Sequence, residues 1–297
     1  MSTAHLRILE PHPGLLAFYD GRVEGHRFAP EQNWVDDGAI ALGIASYAML
    51  RGEEALVYDT HVSLEHARFI RRTLEQRGAR RFTVVLSHWH LDHVAGTAAF
   101  GDAPVIACRK TFAHLRDNKA AIEAGRYHGP PVINPLVLPD TLFDGRKVLQ
   151  LGNLRVELIE ANIHSDDATV VWLPDLSLLL AGDTMEDTVT YVDEPENFDT
   201  HLHELDRLAA LAPDFILPNH GDPDIIAAGG YDRGLIKAQQ QYIRTLKRCR
   251  DDAALRALPL EELIAGPLSR GWVNLFEPYR AVHQQNLERV LAMKEGP

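Results

Sequence analysis

The run His88-Trp89-His90-Leu91-Asp92-His93 crowds three imidazoles and a carboxylate into six residues, directly after the apolar stretch Phe82-Thr83-Val84-Val85-Leu86-Ser87. No other segment constrains the fold as strongly. The apolar stretch reads as a buried strand. Its exit carries side chains that are natural ligands of zinc and similar divalent ions. A strand end is rigid and opens toward one edge of a sheet, so ligands from several strand ends converge there. The bland alternative is a solvated loop that is His-rich by accident.

The rest of the chain supplies further ligand-type residues in the same setting. His164 follows the apolar stretch 156–159, Asp183 follows Leu179-Leu180-Ala181-Gly182, and His220 follows Phe215-Ile216-Leu217-Pro218-Asn219. Asp59 ends the stretch Leu56-Val57-Tyr58. Each stands where a strand-like segment runs into a turn.

This order resembles the metallo-β-lactamase superfamily over roughly residues 13–225. Members carry HxHxDH, then a His, then an Asp in a Gly-Asp pair, then a His before Gly. The resemblance implies an α/β fold, an αββα sandwich of two mixed β-sheets flanked by helices. It implies that His88, His90 and His164 hold one metal, and that Asp92, His93 and His220 hold another. Asp183 would bridge the two, and Asp92 and Asp183 would be catalytic. Asp59 matches the family's earlier Asp, which supports the ligands from behind, and His61 lies near the site in the same pattern. Two divalent ions per chain are expected, zinc first, with iron or manganese accepting the same donors. A metal-bridging hydroxide would be the nucleophile. A single-iron sulfur dioxygenase is the alternative of another class.

Composition agrees with a globular enzyme. Apolar residues make up 45% of the chain, and the formal net charge of −12 argues against a nucleic-acid partner. The two cysteines, Cys108 and Cys249, form no CxxC pair, which fits a reducing compartment. The N-terminus shows no signal-peptide core, and the longest apolar stretch, 39–50, is too short to span a bilayer. These features predict a cytoplasmic protein with no membrane partner. No GxSxG elbow, HExxH helix or Walker loop is present.

Periodicity predicts strands at 15–19, 39–50, 55–59, 104–108, 147–151, 155–159, 169–173, 178–181 and 215–217. Helices are expected at 63–76, 110–124, 199–211, 231–250 and 281–293. The whole chain, 1–297, reads as one domain with a helical extension from about 228. The apolar faces of the two tail helices either cover the chain's own core or make a symmetric homodimer. The arginines of 63–76 read as a solvated face, as do the acids Glu186, Asp187, Asp193, Glu194 and Glu196 unless they ring the site.

The substrate is the quiet part, because one fold hosts many reactions. A small carbonyl substrate is expected: a lactone or other ester first, a thioester or β-lactam behind. The Pro/Gly-rich stretch 125–139 is the expected selectivity loop, with Tyr127 and His128 as substrate contacts. Tyr191 is the first tyrosine after Asp183 and a further candidate contact.

Overall fold

Two runs of strands lie along the chain, and each closes its own sheet. The computed structural model describes residues 3–293. The first run comprises β1 (Arg7–His12), β2 (Leu15–Asp20), β3 (Ile44–Arg51), β4 (Glu54–Tyr58), β5 (Arg81–Val85), β6 (Val105–Cys108) and β7 (Thr141–Phe143). These strands lie side by side in chain order. Pairing is antiparallel from β1 to β4 and parallel from β4 to β7. The second run comprises β8 (Arg146–Leu151), β9 (Leu154–Ile163), β10 (Ser165–Leu173), β11 (Leu178–Gly182) and β12 (Phe215–Pro218). Its order is β12-β11-β10-β9-β8, with only the β11–β12 pair parallel.

The helices are α1 (Leu64–Gln76), α2 (Leu91–Val94), α3 (Arg109–Glu123), α4 (Phe198–Ala209), α5 (Pro223–Ala227), α6 (Gly234–Cys249), α7 (Ala253–Arg256), α8 (Leu260–Leu263), α9 (Ala265–Ser269) and α10 (Tyr279–Ala292). Residues of both sheets, among them Tyr47, Met49, Tyr58, Leu158, Val170 and Leu180, fill the space between them. Ala67, Ile70 and Leu74 recur at helical spacing on α1 and bury against Val57 and Val84 on the outer face of the first sheet. Leu205 and Leu208 of α4 and Leu235, Tyr242 and Leu246 of α6 join the main core from the other side. Helices therefore cover both outer faces, and the architecture is the expected αββα sandwich.

Both tail helices turn their apolar faces inward. Val282, Leu287 and Val290 of α10 are buried in the same core as α6. Two expectations need correction. The stretch 39–50 is not one strand: Val35–Ile40 forms a π-helical turn, Gly43 takes a φ of 78°, and the strand begins at Ile44. Glu186 and Asp187 are not solvated; both are buried. Residues 1, 2 and 294–297, the outer ends of the expected domain, lie outside the described residues. Among those described, no helix is long and apolar enough to cross a membrane.

Candidate metal centre

Strand ends deliver the side chains. Ser87 and His88 leave β5, and the short helix α2 presents Asp92 and His93. His164 turns the β9–β10 hairpin with a φ of 71°, and Asp59 leaves β4 with a φ of 65°. Left-handed backbone at non-glycine residues is uncommon and clusters at functional sites. Asp183 follows β11 through Gly182, whose φ is 58°. A Cβ on Gly182 would lie 2.8 Å from Tyr58 Oη and 3.3 Å from Ser87 Cβ, so only glycine suits this approach. His220 follows β12.

All seven expected ligands meet at this edge. His88, His90 and His164 each bring a nitrogen within 4.8 Å of the other two, and Asp92, His93 and His220 form a second such group. Asp183 stands between the groups. Its Oδ2 is 3.1 Å from His93 Nε2, 3.4 Å from His220 Nε2, 3.7 Å from His88 Nε2 and 3.9 Å from His164 Nε2. Asp92 Oδ2 is 3.4 Å from both His93 Nε2 and His220 Nε2.

Neighbours behind the rings set which nitrogen faces inward. His220 Nδ1 donates to Gly43 O (2.8 Å), and His164 Nδ1 donates to Tyr191 O (3.0 Å), since a carbonyl only accepts. His93 Nδ1 lies 3.0 Å from Asp59 Oδ2. Asp59 in turn accepts from Ser87 N (2.7 Å) and from Asn219 Nδ2 (2.5 Å). The inner nitrogens are left for a cation. His88 Nε2, His93 Nε2 and Asp183 Oδ1 are buried with no hydrogen-bond partner. Each such atom costs about 1–3 kcal/mol unless something satisfies it. Buried imidazole nitrogens and a carboxylate oxygen sharing one small space fit divalent metal binding by donor chemistry.

Charge sorts the rings. Burial drives the His164 pKa down to about 4 and that of His88 well below the usual range, aided by the neighbouring imidazoles. Burial also opposes charge on His93 and His220, but Asp183 outweighs it and holds both well above the usual range. Burial pushes the Asp183 and Asp92 carboxyls up, yet His93 and His220 bring both far below it.

A cavity of about 1080 Å³ opens onto this cluster. His90, Asp92, His164 and Asp183 line its floor, and Tyr127, His128 and Tyr191 line its walls. His61 is buried close enough to the centre to feel the charges of His93 and Asp92; its ring stacks on His66 at 4.5 Å and its Nδ1 accepts from Val62 N. Trp89 packs behind the motif, stacked on His114 at 5.1 Å.

Several site residues escaped the sequence reading. Ser87 and Asn219 each directly precede a ligand, a signal that was available. Trp34 lines the mouth, and its Nε1 donates to Pro131 O (3.0 Å), clasping residues 32–42 to the 125–139 loop. Arg289 also lines the cavity, beside Glu186 and Asp193 of the acidic cluster, which here ring the site, the alternative to a solvated loop. Burial raises the Glu186 pKa to about 7. Burial opposes charge on Asp193, but His90 and Arg289 draw its pKa down to about 2.

The sequence model of the metallo-beta-lactamase superfamily matches residues 40–220. The chain belongs to the metallo-beta-lactamase superfamily. It is thus an enzyme of a metal-dependent hydrolase family. A metallo-beta-lactamase from Pontibacter korlensis superposes with a TM-score of 0.61 at 16% identity, covering 80% of this chain and 99% of that one. The DIM-1 metallo-beta-lactamase, in a crystal exposed to ceftazidime, gives 0.60 at 18% identity, covering 82% and 99%. At such identities these superfamily relatives share the fold. No curated protein matches the chain.

Proposed function

We propose that this superfamily member is a dinuclear metal-dependent hydrolase of a small, uncharged carbonyl substrate, a lactone or other ester. The observation that carries the reading is the seven-residue cluster with its unpartnered buried atoms, four of whose members, His90, Asp92, His164 and Asp183, line the 1080 Å³ cavity. His88, His90 and His164 would hold one ion, Asp92, His93 and His220 the other, and Asp183 would serve both. Zinc suits this imidazole-rich set. When bound, such a pair supplies a water nucleophile at neutral pH and polarises the scissile carbonyl.

The chain's own residues do the rest. Asp92 and Asp183 carry the negative charge that balances the cations. Asp59, Gly43 O and Tyr191 O fix three rings so that the inner nitrogens stay unprotonated in the loaded site. Tyr127, His128 and Tyr191 stand where a substrate would lie against the cavity walls.

The charge of the cavity favours an ester or lactone over a β-lactam or glutathione thioester. Arg289 is the one Lys or Arg among the lining residues, and it is already paired with Asp193 at 2.8 Å. Among the described residues, a carboxylate-bearing substrate would find no free Lys or Arg side chain there. A panel of chromogenic esters, lactones, thioesters and a cephalosporin tests this. The reading expects lactone or ester turnover to exceed the rest. Preferential cleavage of the cephalosporin or the thioester would overturn it.

A further inference from the structure

Helix α10 lies outside the stretch that the superfamily model matches, yet it makes a ladder of polar contacts to the segment following Asp183. Tyr279 Oη donates to Glu186 Oε2 at 3.0 Å. Asn286 is fully buried; its Nδ2 donates to Thr190 O (2.9 Å), and its Oδ1 accepts from Val192 N (2.8 Å). The amide thus pairs with this backbone as a neighbouring strand would. Arg289 Nη1 donates to Asp193 O (2.9 Å) and pairs with Asp193 Oδ1 (2.8 Å), while its guanidinium lies 4.9 Å above the Tyr191 ring. Spacings of seven and three residues put the three rungs on one helix face.

The same segment touches two imidazoles of the cluster. Tyr191 O accepts from His164 Nδ1, and Asp193 N donates to His164 O at 2.9 Å. Asp193 Oδ2 stands 3.9 Å from His90 Nε2. In both rings the segment engages the nitrogen that faces away from the centre. The other two, His164 Nε2 and His90 Nδ1, are turned toward each other at 3.0 Å. The rings of His93 and His220 have other supports, Asp59 and Gly43 O.

We propose that α10 is a positioning element for one half of the metal centre: through Asn286 and Arg289 it holds residues 190–193 where they aim His164 and His90. The inference rests on the metal reading above and adds selectivity to it. Helix α10 acts chiefly on the ion at His88, His90 and His164; it reaches the ion at Asp92, His93 and His220 only indirectly, through Thr190 Oγ1, which donates to Asp183 O at 2.8 Å.

Cobalt(II) titration of the metal-free full-length chain, followed by absorption, tests this. The variants are Arg289→Gln and Asn286→Asp, with Arg289→Lys for partial rescue and Glu288→Gln as a control on the same helix. In wild type two binding steps are expected. In Arg289→Gln and Asn286→Asp one step weakens about 10–100-fold, with an altered cobalt spectrum for that step, because the partners behind a ligand tune affinity by this much. In Arg289→Gln the other step changes far less, and the melting temperature of the metal-free chain stays at the wild-type value. Arg289 is partly exposed, so its variant keeps the fold even where Asn286→Asp does not. Wild-type affinity at both steps in Arg289→Gln, or equal weakening of both, overturns the inference while leaving the metal reading intact. A wild-type chain that binds no cobalt overturns both.

Discussion

Replacing Asp59 by Asn keeps the shape of the side chain and inverts part of its hydrogen bonding. Asp59 is an acceptor three times over, from Ser87 N (2.7 Å), Asn219 Nδ2 (2.5 Å) and His93 Nδ1 (3.0 Å). An amide has one oxygen and one NH2 group. With its oxygen on Ser87 N, the NH2 group faces Asn219 and His93. Asn219 adapts by a flip, because its own Oδ1 is buried without a partner. His93 adapts by moving its proton to Nε2, the nitrogen that faces Asp92 and Asp183. That nitrogen then has no lone pair for a cation. The backbone is not disturbed, since Asn tolerates the left-handed φ of 65° as Asp does. The ion at Asp92, His93 and His220 should bind about 10–100-fold more weakly, roughly 1.4–2.8 kcal/mol. Competition with a chromogenic chelator measures this, and the melting temperature of the metal-free variant reports the fold. Wild-type affinity for both ions in Asp59→Asn would refute the orientation argument.

Asp183→Asn removes the charge shared between the two ligand groups; it should lose one metal and at least about a hundredfold in turnover, read by elemental analysis and steady-state kinetics. Tyr127→Ala and His128→Ala should change KM or substrate preference with metal content intact, and wild-type behaviour of both on every substrate would remove the loop from the pocket. His201 is buried with both ring nitrogens unpartnered, and burial drives its pKa to about 4. Folding therefore keeps it neutral. The stability this contributes is full above the unfolded value near 6.5 and is lost as pH falls from there toward 4, by up to about 3 kcal/mol. His201→Leu should remove that acid sensitivity and raise stability at neutral pH by about 1–3 kcal/mol, measured by urea unfolding at pH 7.5 and pH 5.

The cluster was legible because its information is local. Six consecutive residues carry four ligand side chains, and His164, Asp183 and His220 each sit at the end of a strand that apolar patterning marks. Elements without such a pattern were missed. The strand Arg7–His12 alternates only between exposed and half-buried, and Thr141–Phe143 is three residues long. The run 39–50 misled because an apolar stretch suits a buried helical turn as well as a strand, and Gly43 within it marks the boundary between the two. Arg289 and Asn286 gave no signal, since they sit more than a hundred residues beyond the HxHxDH motif. Which helix face meets the cavity is decided by packing of α10 on α6, not by local sequence. The acids Glu186 and Asp187 looked solvated because sequence does not show Tyr279, Tyr231 and Asn274 folding back onto them.

The central claim is a two-metal centre built by seven side chains around Asp183. Elemental analysis of full-length protein purified without chelator tests it most directly, with Asp183→Asn prepared in parallel. The account predicts about two divalent ions per wild-type chain, zinc dominant, and about one in the variant. A wild-type value near one with iron dominant, unchanged in Asp183→Asn, would contradict it.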